Sequence, residues 1–278
     1  MTSHHLRIFD VQHGSCALLT STTDSGLKWQ TMIDCGHKSN DRGRWFPGDY
    51  LRAQGITLID LLIISNLDED HVSGFPNLLS NGITVSSIFS NPSVPPWAIR
   101  QLKAQHGMGN GIDAIVRELG RRGMPAQLPW LPDVDLHCAW NRYPTTFDDE
   151  NNLSVVTSMT LDGWRFLFTG DIECSGFNHL LGTYAPISQL VPGVDVLVAP
   201  HHGRESGICP DLFRVYGCKP RLVVMSDDYV QYDSQATSGF YRDKATGHSF
   251  KDSTRYVLTT RNDGTLDFMP GRGTMFAF

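Results

Sequence analysis

The sequence predicts an α+β fold, two packed β-sheets flanked by helices, with a site along one edge. Two observations carry this. The chain reads as two mainly β halves, each followed by helical segments, with a proline- and glycine-rich stretch at 81–145 between them. Three apolar runs are also followed directly by metal-seeking side chains. Residues 61–64 lead into Ser65-Asn66-Leu67-Asp68-Glu69-Asp70-His71, residues 166–168 into Thr169-Gly170-Asp171, and residues 194–199 into Pro200-His201-His202-Gly203. An apolar run of about five residues reads as a buried strand, so each set falls at a strand's carboxyl end. A carboxylate or imidazole is costly to bury alone and becomes useful where a cation takes its charge or lone pair.

The elements follow in order. Residues 6–11 read as a strand, Gln12-His13-Gly14 as a turn, and 16–20 and 29–33 as two further strands, the last ending at Asp34-Cys35-Gly36. Residues 45–55 read as a helix closed by Gly55, which feeds a strand at 58–64, and a short helix begins at 72–79. Within 81–145, helical periodicity is confined to 97–105 and 112–122. That stretch reads as an elaboration near the site mouth, inside one domain spanning 1–278. Strands return at 153–159 and 164–168 around Asp162-Gly163, then at 194–199 and 221–225. The end, 256–260 and 265–268 about Asn262-Asp263-Gly264, reads as a hairpin.

Composition narrows the function classes. Forty per cent apolar and 19 per cent charged residues are ordinary globular values. No apolar run approaches the roughly 20 residues that span a bilayer, and residues 1–6 lack a signal-peptide core. The six cysteines show no CxxC spacing, and several lie in apolar runs, which points to packing in a reducing cytoplasm. A formal net charge of −6 argues against a broadly basic DNA-coating protein but allows a local basic groove.

Asp10-Val11-Gln12-His13-Gly14-Ser15, Ile33-Asp34-Cys35-Gly36, Asn66-Leu67-Asp68-Glu69-Asp70-His71, Leu167-Phe168-Thr169-Gly170-Asp171 and Pro200-His201-His202-Gly203 occur in this order. That order resembles the metallo-β-lactamase superfamily and, more closely, the soluble domain of ComEC competence-channel proteins. The resemblance implies a four-layer αββα sandwich. The family's hallmark is His-x-His-x-Asp-His; Asp68 agrees with the ComEC-like branch at the second histidine, whereas Asn66 departs from the first. A family histidine expected near Asn152 is missing, as in ComEC-like relatives. The resemblance also implies the ligand set. Asp70 and His71, with His202 or His201, would hold one metal; Asp68 and Asp171, with Asn66, would hold another. Asp70 and Asp171 would be central to catalysis, and Asp34 would orient a ligating imidazole.

Oxygen-rich ligands suit Mn²⁺ or Mg²⁺, and zinc also accepts aspartate. Two such cations would generate hydroxide near neutral pH and neutralise phosphoryl charge. The expected activity is a metal-dependent nuclease or phosphodiesterase acting on DNA, since the ComEC-like relatives are linked to degrading a DNA strand. The alternatives are hydrolysis of a small phosphoester or other small ester, and a non-catalytic interaction module with a degenerate metal site. Nucleic acid is the expected partner, with a protein that activates the enzyme as a second. Taken alone, Asp-x-Asp-His is more often a solvated turn, and each of the other two endings is also common. Their ordered combination favours a site. Asp227, after the 222–225 strand, reads more simply as part of a solvated acidic turn, with substrate contact as the sharper alternative. Arg42, Arg44, Arg121 and Arg122 could steer a phosphodiester backbone, and Trp45, Trp97 and Trp130 could stack bases. Scattered surface charge and core aromatics explain them as well.

Overall fold

The computed structural model describes residues 2–40, 43–104, 107–123, 127–228 and 236–278. Two sheets dominate. The first has the order β17-β16-β1-β2-β3-β6-β7, where β1 is Ser3–Ile8, β2 Cys16–Thr22, β3 Lys28–Cys35, β6 Leu58–Ile63, β7 Thr84–Phe89, β16 Leu266–Gly271 and β17 Thr274–Ala277. The second runs β15-β12-β11-β10-β9-β8, with β8 Val134–Trp140, β9 Val155–Leu161, β10 Trp164–Phe168, β11 Val196–Val198, β12 Leu222–Met225 and β15 Val257–Thr259. Two small hairpins pair β4 (Lys38–Asn40) with β5 (Gly43–Trp45), and β13 (His248–Phe250) with β14 (Ser253–Arg255).

Side-chain alternation along the strands builds the layers. Leu61 and Ile63 of β6 meet Phe166 and Phe168 of β10 in an apolar cluster that draws on both sheets. Leu62, between them in sequence, faces the other way and packs with Leu51, Phe75, Ile115 and Leu119 of the helices. Leu167 likewise turns outward to Phe177, Leu180 and Leu212. Three apolar layers between four structural ones make the αββα sandwich. Strands buried on both faces carry continuous apolar runs, which is why 61–64 and 196–199 show no polar alternation, whereas Asp195 just before β11 pairs with Arg221.

Parallel pairing points strand ends the same way. β3, β6 and β7 are parallel neighbours in one sheet, and β10, β11, β12 and β15 in the other. Asp34 lies at the end of β3, and Asp171, His201 with His202, and Asp227 follow β10, β11 and β12, which collects these side chains at one edge.

Three expectations need correction. The 256–268 segment is not a hairpin: β15 pairs parallel with β12 in the second sheet, while β16 pairs with β1 and β17 in the first. Asp263-Gly264 instead closes a helical turn, Thr260–Asp263, with Gly264 at φ +78°. The 81–145 stretch is more than an elaboration, because it supplies β7 and β8, an edge strand of each sheet. The helix expected at 45–55 is shorter, Pro47–Ala53, since Trp45 belongs to β5.

Candidate metal centre

Asp70 and His71 lie in a helical turn, Glu69–Val72, that begins just beyond β6. Loop 12–15 and the end of β3 press on this turn. The Ser15 N–H donates to the Asp70 carbonyl at 3.2 Å, and a Cβ on Gly14 or Gly36 would come within 2.5 and 2.3 Å of that oxygen. Only glycine permits so close an approach, and Gly14 also sits at φ +146°. On the opposite side, His201 and His202 both adopt left-handed backbone, φ +50° and +55°. Two successive non-glycine residues in that region store strain characteristic of functional turns.

Four side chains converge. One ligand atom from each of Asp70, His71, Asp171 and His202 lies within 4.8 Å of all the others. Asp171 Oδ1 is 3.0 Å from His71 Nε2 and 3.2 Å from His202 Nε2; Asp70 Oδ2 is 3.4 Å from His202 Nε2. Yet His71 Nε2, His202 Nε2 and Asp171 Oδ1 are buried and lack any partner in hydrogen-bonding geometry. Buried polar atoms are rarely left so. The other ring nitrogens are committed: His71 Nδ1 lies 2.8 Å from Asp34 Oδ2, and His202 Nδ1 2.8 Å from the Ser226 carbonyl. Both partners only accept, so each Nδ1 donates and each Nε2 is presented to the cluster. A divalent cation fits this donor set of two carboxylates and two imidazoles, with Asp34 orienting His71.

The electrostatics agree with the geometry. Burial opposes charge on His202, but Asp171 and Asp70 outweigh it and push its pKa up to about 10. Burial likewise opposes charge on His71, and Asp171 and Asp34 raise it well above the usual imidazole range. Burial would raise the carboxyls, yet His202 and His71 hold Asp171 and Asp70 well below theirs. Protons therefore occupy these Nε2 atoms where a metal would displace them.

The other expected residues lie differently. His201 stands outside the four, its Nδ1 2.8 Å from Ser206 Oγ and its Nε2 4.0 Å from Asp171 Oδ2. Asp68 is paired with the Lys103 ammonium, and Asn66 Nδ2 donates to Asn151 Oδ1 at 3.2 Å. The converging set is thus less oxygen-rich than the sequence implied, and it suits zinc as well as manganese. Asp227 is not in a solvated turn. It is 4% exposed and 2.9 Å from Arg261, and burial pushes its pKa up to about 6 against the pull of Arg261. Arg44 is exposed on β5, and Arg42 lies outside the described residues. Arg121 and Arg122 are engaged by Glu118. Trp45 packs on Phe9, whereas Trp97 and Trp130 are exposed, not core.

Sequence reasoning missed three residues. His13, read only as part of a turn, lies 3.5 Å from Asp70 Oδ2 with its ring 4.6 Å from that of His202. Burial, reinforced by His202, pushes its pKa down to about 4. Arg204 approaches His13 Nε2 at 2.9 Å and brings a cation to the rim. Lys103 comes from a segment with no sequence signal for the site.

No protein-family model matches the chain. It is 27% identical over 64% of its length to ComE operon protein 3 of Bacillus subtilis, and 25% identical over 80% to competence protein ComA of Neisseria gonorrhoeae. It spans only 21% and 27% of those relatives. Among solved structures, a CmlA β-hydroxylase mutant superposes with a TM-score of 0.53 at 13% identity, over 96% of this chain and 54% of that one. The fold is that of the metallo-β-lactamase superfamily. Among the described residues, no helix is long and apolar enough to cross a membrane.

Proposed function

We propose that the protein is a metal-dependent hydrolase of metallo-β-lactamase type that cleaves phosphodiester bonds, with DNA as its substrate. One observation carries the hydrolase reading: buried, unpartnered Nε2 and carboxylate oxygens of His71, His202 and Asp171 converge at strand ends beside Asp70. A divalent cation held there would polarise a phosphoryl oxygen and supply hydroxide near neutral pH. The chain's own residues do the remaining work. Asp34 and the Ser226 carbonyl fix the two imidazoles; His13 stands neutral at the rim, where Arg204 donates to its Nε2 and offers charge to a phosphate. The DNA reading rests on similarity to competence proteins and on the ordered ComEC-like motifs. An activating protein partner and a cytoplasmic setting belong to the same proposal.

The test is hydrolysis of single- and double-stranded DNA, and of bis-p-nitrophenyl phosphate, by metal-stripped protein given Mn²⁺, Mg²⁺ or Zn²⁺. Metal-dependent DNA cleavage is expected. Cleavage of the small ester with intact DNA would replace the nuclease reading by a small-substrate one, and no cleavage of either would leave an interaction module.

A further inference from the structure

We infer that the centre is mononuclear, because Lys103 places its ammonium group where a second cation would be held. This rests on the proposed metal centre and refines it. The ordered motifs assign a second position to Asp68 and Asp171 with Asn66, and the fold puts Asp68 at the start of the 69–72 turn, as that assignment requires. What meets its carboxylate is Lys103, just past the helix Pro96–Leu102.

Lys103 is 4% exposed. A lysine so deeply buried needs pairing, and it has two carboxylates, Asp68 and, at 3.0 Å, Glu150 Oε1. Pairing with both carboxylates offsets the cost of burying the ammonium. A divalent ion at Asp68 would meet the buried Lys103 ammonium directly. Asn66 offers one neutral amide oxygen, buried without a partner, while its nitrogen is tied to Asn151. By contrast, Asp70, His71, Asp171 and His202 already bring four ligand atoms to one position. Lys103 is thus a positioning residue: it neutralises Asp68 and Glu150 and keeps a second cation out.

The test counts bound metal without measuring activity. The full chain is stripped, equilibrated with excess Mn²⁺ or, separately, Zn²⁺, freed of loose ions by gel filtration and analysed by mass spectrometry. About one equivalent is expected for the wild type. Asp68→Asn should also retain about one, because Asp68 holds Lys103 and not a metal. Lys103→Ala frees two carboxylates and should bind close to two equivalents of Mn²⁺. Two equivalents in the wild type, loss of the ion from Asp68→Asn, or a folded Lys103→Ala that still binds one would each overturn the inference. Should Lys103→Ala not fold, the wild type and Asp68→Asn still decide. Two equivalents would leave the hydrolase reading standing, whereas absence of any bound metal would remove the centre on which both rest.

Discussion

Asp34 lies against His71. Its two oxygens accept the Ser65 N–H at 2.7 Å, the Ser65 hydroxyl at 2.5 Å and the His71 Nδ1–H. This arrangement leaves His71 Nε2 free to face the cluster. Asp34→Asn should lower metal affinity about 10–100-fold with the fold retained, as read by competition with a chelator; unchanged affinity would remove its orienting role. A second prediction concerns protons. His202 titrates near 10 and His71 well above the usual range, so each holds the proton a metal must displace. Binding near pH 7.5 should release about one to two protons per ion, and affinity should rise with pH through the neutral range. Calorimetry in buffers of differing ionisation enthalpy measures this, and no release would contradict the assignment. The sign for the metal-free protein follows from the same shifts. The raised imidazoles contribute stability that is fully present below their unfolded pKa and is lost as pH rises, for His202 through about 10. Lowered Asp171 and Asp70 contribute above the usual carboxyl range, and that part is lost as pH falls through their depressed values. At this scale Asp34, Asp70, His71, Asp171 and His202 were legible because each follows an apolar run or lies within a recognisable motif. His13, Lys103 and Arg204 were not, because their relation to the cluster exists only through the packing of distant segments.

The loop 12–15 and the turn 69–72 lie far apart in sequence and meet around a single carbonyl. Gly14→Ala would drive a Cβ against the Asp70 oxygen and demand an unfavourable φ. It should cost about 1–3 kcal/mol of stability and weaken metal binding, because the turn carrying Asp70 and His71 must shift. Gly26 provides the control. It also has positive φ, +80°, but nothing lies within 4 Å of its added Cβ, so Gly26→Ala should leave metal affinity unchanged. Denaturant melts and metal titrations of the two variants test this, and equal metal affinities would show that the contact does not position the turn. The element-level misreadings share a cause. Asp-Gly serves a hairpin turn and a helix end equally well, and here the Asp263 carboxylate accepts the Thr259 N–H at 2.9 Å and pairs with Arg255 at 3.0 Å. The β7 and β8 strands escaped notice because partners distant in sequence hold them. Val134 pairs with Leu161 and Leu58 with Thr84, and this pairing completes strands whose local signal the surrounding prolines and glycines obscure.

The whole molecule must reconcile a net charge of −6 with a polyanionic substrate. The layered sandwich was legible because doubly buried parallel strands leave unbroken apolar runs. The charge distribution around the centre was not, since ion pairs consume cations that the sequence counts as available. Arg121 and Arg122 bind Glu118, Arg261 binds Asp227, and Lys103 is held by Asp68 and Glu150. Arg204 at the rim and exposed Arg44 remain as candidates, with Arg42 beside the latter in sequence. DNA binding through so narrow a basic rim should be modest. Each phosphate contact contributes roughly 0.7–0.9 to the slope of log affinity against log salt, so the slope should be shallow, on the order of 2–4. Fluorescence anisotropy across a salt series gives that number, and a slope near 10 would require a basic surface that this distribution does not provide. Charge reversal at Arg42 and Arg44 together should then slow DNA cleavage severalfold while sparing bis-p-nitrophenyl phosphate, whose single phosphate needs only the centre. If both substrates lose turnover equally, the two arginines support the fold and not the nucleic acid. If neither changes, the phosphate rim lies on the Arg204 side of the centre.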